Sequence, residues 1–285
     1  MNETDNRSLE SDRIKGVLFR WTDESARWYE EASQHTGYHN RLEEIIAPHL
    51  DESWRCCELA CGTGTLARHL APHVSAYTAN DLDPHAMEHL RRMNAKDPIP
   101  GFEVLEGDWH QVLEGRAFDA AIISFFGAIL TDWDRLSSMV RKKVIAVIPR
   151  SKEGRMKVAA LAASEQTENI TDADRPDKPQ RIIRGKQRSF ETSSDITQFL
   201  DEKGVSYLCE DYDLEFGQPF HNLSEARDYV RYYYKLEEDQ IDFFLEKKLE
   251  RTETGWYFPK KKEISVIVAD LTAAQPSVTS GHPKP

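Results

Sequence analysis

The chain has 285 residues, of which 39% are hydrophobic and 10% aromatic, and its formal net charge is −12. Enough apolar material is present for a sizeable core, which argues against a disordered chain. The anionic surface disfavours duplex nucleic acid as a partner, because it repels a phosphate backbone. The longest nearly apolar run, 120–130, is shorter than the ~20 residues that a membrane-spanning helix needs, so we expect no membrane association.

The N-terminal region divides into two parts. Residues 1–13 are polar and mixed in charge, which predicts a disordered tail. They contain no apolar core of a secretory signal, and we therefore expect a cytoplasmic location. Residues 14–50 have helical spacing, with aromatic residues set among charges, and Pro48 lies where a helix is expected to stop. This segment is predicted to form N-terminal cap helices.

From residue 51 onward, strand-like and helix-like runs alternate. The predicted strands are 55–60, 74–81, 102–108, 118–124 and 143–149, with helical spacing between them. Strands separated by helical crossovers pair in parallel. We therefore predict an α/β fold, a doubly wound, Rossmann-like and mostly parallel seven-stranded sheet with an N-terminal helical cover. Residues 51–163 would form its ligand-binding core, and ligands bind at the carboxyl ends of such strands.

The C-terminal half is less regular. Residues 164–189 are polar and rich in turn formers, which predicts a flexible loop. Residues 190–272 are expected to complete the sheet, with a helix that is capped by Ser194 or Asp195 and ends at Gly204. A helical lid, 218–250, would be inserted between the last two strands. The lysine run in "PKKKE" before the last strand is interpreted as solvated, and residues 273–285 as a disordered tail.

The chain has four cysteines, Cys56, Cys57, Cys61 and Cys209. They lack the paired spacing of a zinc site, and no other cluster has metal-ligand spacing. We therefore interpret them as buried, reduced thiols and expect no metal.

The turn "ELACGTG" contains the first candidate ligand site. Gly62 and Gly64 allow the backbone to approach a ligand closely, and the helix that begins near Thr65 would direct free amide groups at that ligand. The turn alone also fits a dinucleotide-binding pattern. It lacks the Gly-Lys-Ser/Thr sequence of a phosphate loop, which excludes that class of nucleotide site.

Three acidic positions narrow the choice. Glu58 is unfavourable beside a pyrophosphate but suits a positively charged amine. Asp81 ends the second strand, where a carboxylate accepts hydrogen bonds from both ribose hydroxyls. The next acid, in the pair Asp83-Pro84, is predicted to cap the following helix instead. Asp108 ends the third strand in "EGDW" and can accept from an adenine amino group, while Trp109 can cover the ring. An amine, a ribose and an adenine without phosphate describe S-adenosylmethionine.

The segment from about residue 15 to 150 resembles class I S-adenosylmethionine-dependent methyltransferases of the small-molecule type. "CCELACGTG" is similar to the first motif of that family, with Ala60 where a glycine is usual. "FDAAIISFF" is similar to the fourth-strand motif, and the resemblance places Ser124 beside the reacting methyl group. "WTDESARWYEE" resembles an N-terminal element whose tyrosine, here Tyr29, closes over the methionine carboxylate. The fourth strand ends in "SFFG" and lacks the motif of enzymes that methylate exocyclic base amines.

These inferences define two predicted sets of site residues. The cofactor set is Tyr29, Glu58, Ala60, Gly62, Gly64, Asp81, Leu82, Asp108, Trp109 and Ser124. The substrate set is Tyr38, Phe126, His221, Arg231 and Tyr233. A tyrosine of "RDYVRYYY" is also explained by simple packing along one helix face. No catalytic base is predicted, because no His/Asp pair stands out.

The predicted function is in-line methyl transfer from S-adenosylmethionine to a small-molecule acceptor, with S-adenosylhomocysteine as product. The aromatic-rich segments favour an apolar or aromatic acceptor. Three alternatives stay open: an RNA or protein methyltransferase, a NAD-dependent oxidoreductase, and a non-catalytic S-adenosylmethionine-binding regulatory protein. The oxidoreductase is disfavoured by Glu58 and "EGDW". The acceptor atom and the oligomeric state are not determined by the sequence.

Overall fold

The structure is a computed structural model that describes residues 21–151, 191–234, 236 and 238–272. Within these ranges the chain forms nine α-helices and ten strands. The helices are α1 Asp23–Thr36, α2 Tyr38–Ile46, α3 Thr65–Leu70, α4 Pro84–Lys96, α5 Trp109–Val112, α6 Ile129–Met139, α7 Ser193–Lys203, α8 Leu223–Tyr234 and α9 Glu238–Lys248. The strands are β1 Arg55–Leu59, β2 Ala76–Asp81, β3 Phe102–Glu106, β4 Phe118–Ser124, β5 Val140–Pro149, β6 Ser206–Glu215, β7 Gln218–Phe220, β8 Glu250–Arg251, β9 Trp256–Phe258 and β10 Lys261–Asp270. The predicted tails 1–13 and 273–285, residues 14–20 of the predicted cap, and the predicted loop 164–189 lie outside the described residues.

Seven of the strands form one sheet with the order β3-β2-β1-β4-β5-β10-β6. Strands β1 to β5 are mutually parallel, whereas β10 is antiparallel to both β5 and β6. The prediction of a doubly wound, mostly parallel seven-stranded sheet is therefore confirmed. Alternation of strands and helices along the sequence was the signal that carried it.

The register of the sheet brings the motif-bearing strand ends to one edge. Leu59 of β1 pairs with Asn80 of β2, and Asp81 pairs with Glu106 of β3. Ser124, the last residue of β4, pairs with Val147 of β5. Residues that are far apart in sequence thus share the carboxyl edge, where open α/β sheets bind their ligands.

The helix ends have the capping residues that the sequence predicts, with one correction at the start of α7. Asp83 caps α4, with Pro84 at its first position, as predicted. Helix α7 is capped by Thr192 rather than by Ser194 or Asp195, because Thr192 and Asp195 form a reciprocal capping box. It ends at Gly204 as predicted.

Two hydrophobic clusters cover the two faces of the sheet. The first lies under α2, α3 and α4 and includes Leu42, Leu70 and Leu90, while the second lies under α6 and α7 and includes Leu136 and Ile196. All five side chains are fully buried. Both faces are therefore closed, as a parallel sheet requires.

The segment between β6 and β10 contains the two predicted helices, α8 and α9. It also contains a three-stranded sheet, β7-β9-β8, that the sequence did not predict. The segment packs on α1 through Trp28, which is 1% exposed, and through an ion pair between Arg27 and Glu225 at 2.7 Å.

The cysteine prediction is correct only in part. Cys56 and Cys57 are buried and Cys61 is half-buried, but Cys209 is exposed on β6, against expectation. All four thiols are free. Across the described ranges, no helix combines the length and apolar character needed to cross a membrane.

Candidate functional site

The turn after β1 has a backbone that favours glycine. Gly62 and Gly64 have φ angles of +58° and +72°, and Ala60 has +53°. The left-handed region is costly for a residue with a Cβ, which explains physically why glycine is usual at the Ala60 position. Backbone bonds from Cys61 N to Asn80 O at 2.9 Å and from Gly64 N to Cys61 O at 3.0 Å fix the turn.

The two glycines also face protein atoms. A Cβ on Gly62 would lie 2.9 Å from Cζ2 of Trp21, and a Cβ on Gly64 would lie 2.4 Å from Cδ2 of Leu90. Gly64 therefore allows α3 to pack against α4, a role that the sequence did not reveal. The predicted approach of a ligand to these glycines stays a prediction.

Glu58 is the most unusual carboxyl group at this edge. It is 1% exposed and accepts a hydrogen bond from the Tyr77 hydroxyl at 2.9 Å. Burial, with the negative charge of Asp81, raises the pKa of Glu58 to about 8. No cationic side chain of the described residues forms an ion pair with it. An ammonium group placed here would stabilise the ionised carboxylate, which fits the predicted amine-binding role.

Asp81 is half-buried at the end of β2. Its carboxylate accepts from Gly62 N at 2.7 Å and from Asp83 N at 2.8 Å, one bond on each oxygen. Burial raises its pKa. Each oxygen keeps one further acceptor position, so two ribose hydroxyls fit without loss of the existing bonds. The adjacent Leu82 is 46% exposed, which leaves an apolar surface beside this carboxylate.

Asp83 has a second role that the sequence did not show. Its Oδ1 caps α4, and its Oδ2 accepts from the backbone N–H of Trp21 at 3.0 Å. This bond ties the start of α1 to the carboxyl edge. The Trp21 ring then lies against Gly62 and meets the Tyr29 ring edge-on, with centroids 5.3 Å apart. Trp21 thus covers the glycine turn, and Tyr29 packs against Trp21.

At the end of β3, Asp108 is already engaged by protein. It caps α5 through His110 N at 3.0 Å and pairs with His110 Nδ1 at 2.9 Å. Nε2 of His110 lies 2.9 Å from Asp132, so the imidazole bridges two carboxylates. The neighbouring Trp109 is 5% exposed and packs in the second hydrophobic cluster. The adenine-binding roles of Asp108 and Trp109 stay predictions.

The two phenylalanines that follow β4 pack on opposite faces of the sheet. After half-buried Ser124, Phe125 has φ +53°, a conformation that bulky side chains rarely adopt. Its N–H donates to Val147 O at 2.8 Å. The Phe125 ring packs with the first cluster, on the side of α2, whereas Phe126 packs with the second. Phe126 was the residue predicted to contact substrate, and the structure places Phe125 on the face that Tyr29 and Tyr38 share.

Lys262 contradicts the interpretation of "PKKKE" as a solvated run. Lys260 and Lys261 are exposed, but Lys262 is half-buried. Its Nζ lies 3.7 Å from the ring centroid of Phe216, 4.5 Å from that of Tyr38, 4.8 Å from that of Phe125 and 5.6 Å from that of Tyr29. We call these four rings the aromatic cage.

The remaining predicted substrate residues fall in different places. Tyr38 belongs to the aromatic cage. Tyr233 packs against Trp28, with ring centroids 6.1 Å apart, in the inserted segment. His221 is exposed, and Arg231 is exposed and paired with Glu238 at 2.6 Å. The structure does not bring His221 and Arg231 together with the carboxyl edge, and their substrate roles stay predictions.

Two further features of the described residues are relevant to ligand binding, the metal-ligating side chains and a surface hollow. Those residues contain no group of three or more His, Cys, Asp or Glu side chains arranged to hold a metal ion. A shallow hollow lined by Asp201, Gly204 and Tyr207 lies at the start of β6, and it contains none of the predicted site residues.

Comparison with known proteins agrees with this geometry. Residues 57–144 match a family model described as a methyltransferase domain. No curated protein sequence matches the chain.

The fold is also that of several solved structures. A Bacillus halodurans protein with a provisional methyltransferase assignment is 13% identical, with a TM-score of 0.50, over 82% of this chain and 99% of that one. The YcgJ protein from Bacillus subtilis is 11% identical, with a TM-score of 0.51, over 81% and 98%. Magnesium protoporphyrin IX methyltransferase from Synechocystis PCC 6803, solved with S-adenosylhomocysteine, aligns with a TM-score of 0.47 and 11% identity, over 94% and 95%.

The matched segment spans β1 to the start of β5 and so contains the glycine turn, Glu58, Asp81 and the end of β4. Sheet order, motif positions and family match define a methyltransferase of class I fold. Residues 57–144 of the chain are therefore a methyltransferase domain, for which the family implies S-adenosylmethionine as the methyl donor.

Proposed function

We propose that the acceptor is a small molecule, bound between the glycine turn, the end of β4 and the aromatic cage. The observation that carries this proposal is the cover over the turn. The backbone N–H of Trp21 donates to Asp83 at 3.0 Å and the Trp21 ring meets that of Tyr29 at 5.3 Å, so Trp21, just before α1, covers this edge. A strand edge that is covered by side chains and lined by aromatic rings suits a compact acceptor better than a polymer.

We further propose specific roles at the cofactor end. Glu58 would bind the amine of S-adenosylmethionine and Asp81 its ribose hydroxyls, because the buried Glu58 and the half-buried Asp81 lie at one strand edge beside the glycine turn. The exposed Leu82 would lie against the adenine. S-adenosylmethionine supplies an electrophilic methyl group, and the contribution of the protein is then to position the acceptor and exclude water.

The N-terminal segment 14–50 and the insertion 218–250 are proposed as cover and lid. The bond from Trp21 to Asp83 supports the first role. The packing of the insertion on Trp28 supports the second, since Tyr229 and Tyr233 contact Trp28 and this residue is next to Tyr29. A cytoplasmic location also stays a prediction.

The test compares Asp81→Asn with the wild-type protein by calorimetric titration of S-adenosylhomocysteine. Asparagine retains one acceptor oxygen but loses the charge, and each hydrogen bond to an ionised group is worth about 1.5–3 kcal/mol. We expect at least a tenfold loss of affinity, since about 1.4 kcal/mol is tenfold. Glu106→Gln is the matched control, because Glu106 ends the neighbouring strand in an exposed ion pair with Arg91.

Equal affinity in Asp81→Asn and the wild-type protein would refute the ribose role. Transfer of labelled methyl groups to a panel of small molecules, peptides and RNA tests the acceptor class. Turnover of only the peptides or RNA would refute a small-molecule acceptor.

A further inference from the structure

The ammonium group of Lys262 lies among aromatic rings, where the loss of its hydration costs free energy. Among the described residues no carboxylate lies within ion-pair distance of it, and the aromatic cage supplies only cation–π contacts. Such contacts recover part of the lost hydration of an ammonium group, but not the whole. A lysine ammonium group surrounded by aromatic rings without a counter-ion is rare unless it has a function.

A second polar group without a partner, the hydroxyl of Tyr38, belongs to a ring that packs against Lys262. The Tyr38 side chain is 2% exposed, and its hydroxyl has no hydrogen-bond partner. Its ring centroid is 4.5 Å from Nζ of Lys262. Leaving a buried hydroxyl unpaired costs about 1–3 kcal/mol, and a ligand that pairs with it recovers that cost.

Both groups lie at the reactive edge. Lys262 precedes Ile264 by two residues and so lies on the same face of β10, and Ile264 pairs with Pro149 at the end of β5. The cage residue Phe125 directly follows Ser124 and has the left-handed backbone that is typical of functional turns. The cage therefore borders the end of β4.

The groups that face Lys262 are nearly all neutral. His39, 1% exposed behind the cage, bonds Tyr29 at 3.2 Å and Ser33 at 2.5 Å, and burial lowers its pKa well below the usual value. Lys260 adds a like charge nearby. Burial, reinforced by Lys260, lowers the pKa of Lys262 well below its usual range.

We propose that Lys262 accepts a proton from the methyl acceptor, and that the acceptor is a phenol whose hydroxyl lies between Nζ of Lys262 and the hydroxyl of Tyr38. This inference rests on the proposed small-molecule function. The aromatic cage provides stacking faces for the ring of the phenol.

The step balances without an added reagent. Neutral Lys262 takes the phenolic proton, and the resulting oxygen lone pair forms a bond to the methyl carbon. The bond from sulfur to that carbon breaks, and its electron pair stays on sulfur. The products are an aryl methyl ether, S-adenosylhomocysteine and a lysine ammonium, which returns its proton to water.

The first test does not depend on turnover. The probe 4-nitrophenol absorbs visible light only as the phenolate, so its ionisation can be followed on the protein saturated with S-adenosylhomocysteine. We expect the wild-type protein and the exposed-lysine control Lys261→Met to raise the phenolate-to-phenol ratio of bound probe at least tenfold. Lys262→Met should abolish this rise, and Tyr38→Phe should reduce it. An equal rise in Lys262→Met, or no binding to the wild-type protein, would overturn the proposal.

The second test separates this inference from the proposed function. Lys262→Met should bind S-adenosylmethionine within about threefold of wild type, because Lys262 is placed at the acceptor. It should lose about 10²- to 10⁴-fold in kcat/KM for a phenol, the range expected for a lost general base. The wild-type kcat/KM should rise with pH through the pKa of Lys262. Equal kcat/KM of Lys262→Met and the wild-type protein for a phenol would leave the methyltransferase function intact and overturn the role of Lys262.

Discussion

Replacing Glu58 by glutamine should stabilise the protein at neutral pH when no cofactor is bound. The carboxyl group is 1% exposed, and its pKa is raised from 4.5 to about 8 by burial and by Asp81. The unfolded chain ionises near 4.5, so folding must keep a proton that the unfolded state releases. The Glu58 contribution to stability is complete below pH 4.5 and is lost progressively as the pH rises toward 8.

The magnitude follows from these two values. At about 1.4 kcal/mol for each pH unit, keeping Glu58 protonated costs roughly 1 kcal/mol at pH 5 and roughly 3 kcal/mol at pH 7. The glutamine carbonyl still accepts from Tyr77, and the variant carries no charge to bury. The free energy of unfolding of Glu58→Gln minus that of the wild-type protein should therefore increase by roughly 2–3 kcal/mol between pH 5 and pH 7.

Urea unfolding of both proteins at a series of pH values measures this difference in unfolding free energy. Subtracting the two values cancels the titration of all other groups, because the two proteins share them. Glu106→Gln, exposed at the end of β3, is the control and should show a difference that does not change with pH. A difference that stays constant for Glu58→Gln, or that narrows as the pH rises, would refute the account of Glu58 as a buried carboxyl group without a counter-ion.

Two further variants test the turn and its cover. Gly64→Ala should destabilise the fold by about 2–3 kcal/mol, because its Cβ meets Leu90 at 2.4 Å and its φ is +72°. Gly37→Ala, with φ +65° and open space, should cost only about 1 kcal/mol, and equal losses in urea unfolding would exclude the Leu90 clash. Trp21→Ala should weaken S-adenosylhomocysteine binding at least threefold in calorimetry, because it removes the cover over the turn; unchanged affinity would contradict a covering role.

Most of the sheet, and the strand ends that carry Glu58 and Asp81, could be predicted from the sequence. Alternating strand and helix patterns are long-range regularities, and they identified the strand ends that meet at Glu58 and Asp81. The cap formed by Asp83 and Pro84 was equally readable, because capping is a local property. The three-stranded sheet β7-β9-β8 was missed, since strands of two or three residues are too short to show a period.

The acceptor side could not be predicted in the same way. The three consecutive lysines of "PKKKE" favoured solvent, although the two-residue period of β10 places Lys262 on the face of Ile264. The four rings of the aromatic cage come from four separate stretches of chain, and Lys262 from a fifth, a proximity that tertiary packing alone creates. The contact of Trp21 with Gly62 likewise depends on the bond of Trp21 to Asp83, for which the sequence has no local signal.

A crystal structure of the protein with S-adenosylhomocysteine would show the cofactor contacts themselves. We expect the ligand amine within about 3 Å of a Glu58 oxygen and both ribose hydroxyls within hydrogen-bond distance of Asp81. We also expect the sulfur to point toward the end of β4 and the aromatic cage. A ligand bound elsewhere, or bound at this edge without contact to Glu58 and Asp81, would contradict this placement.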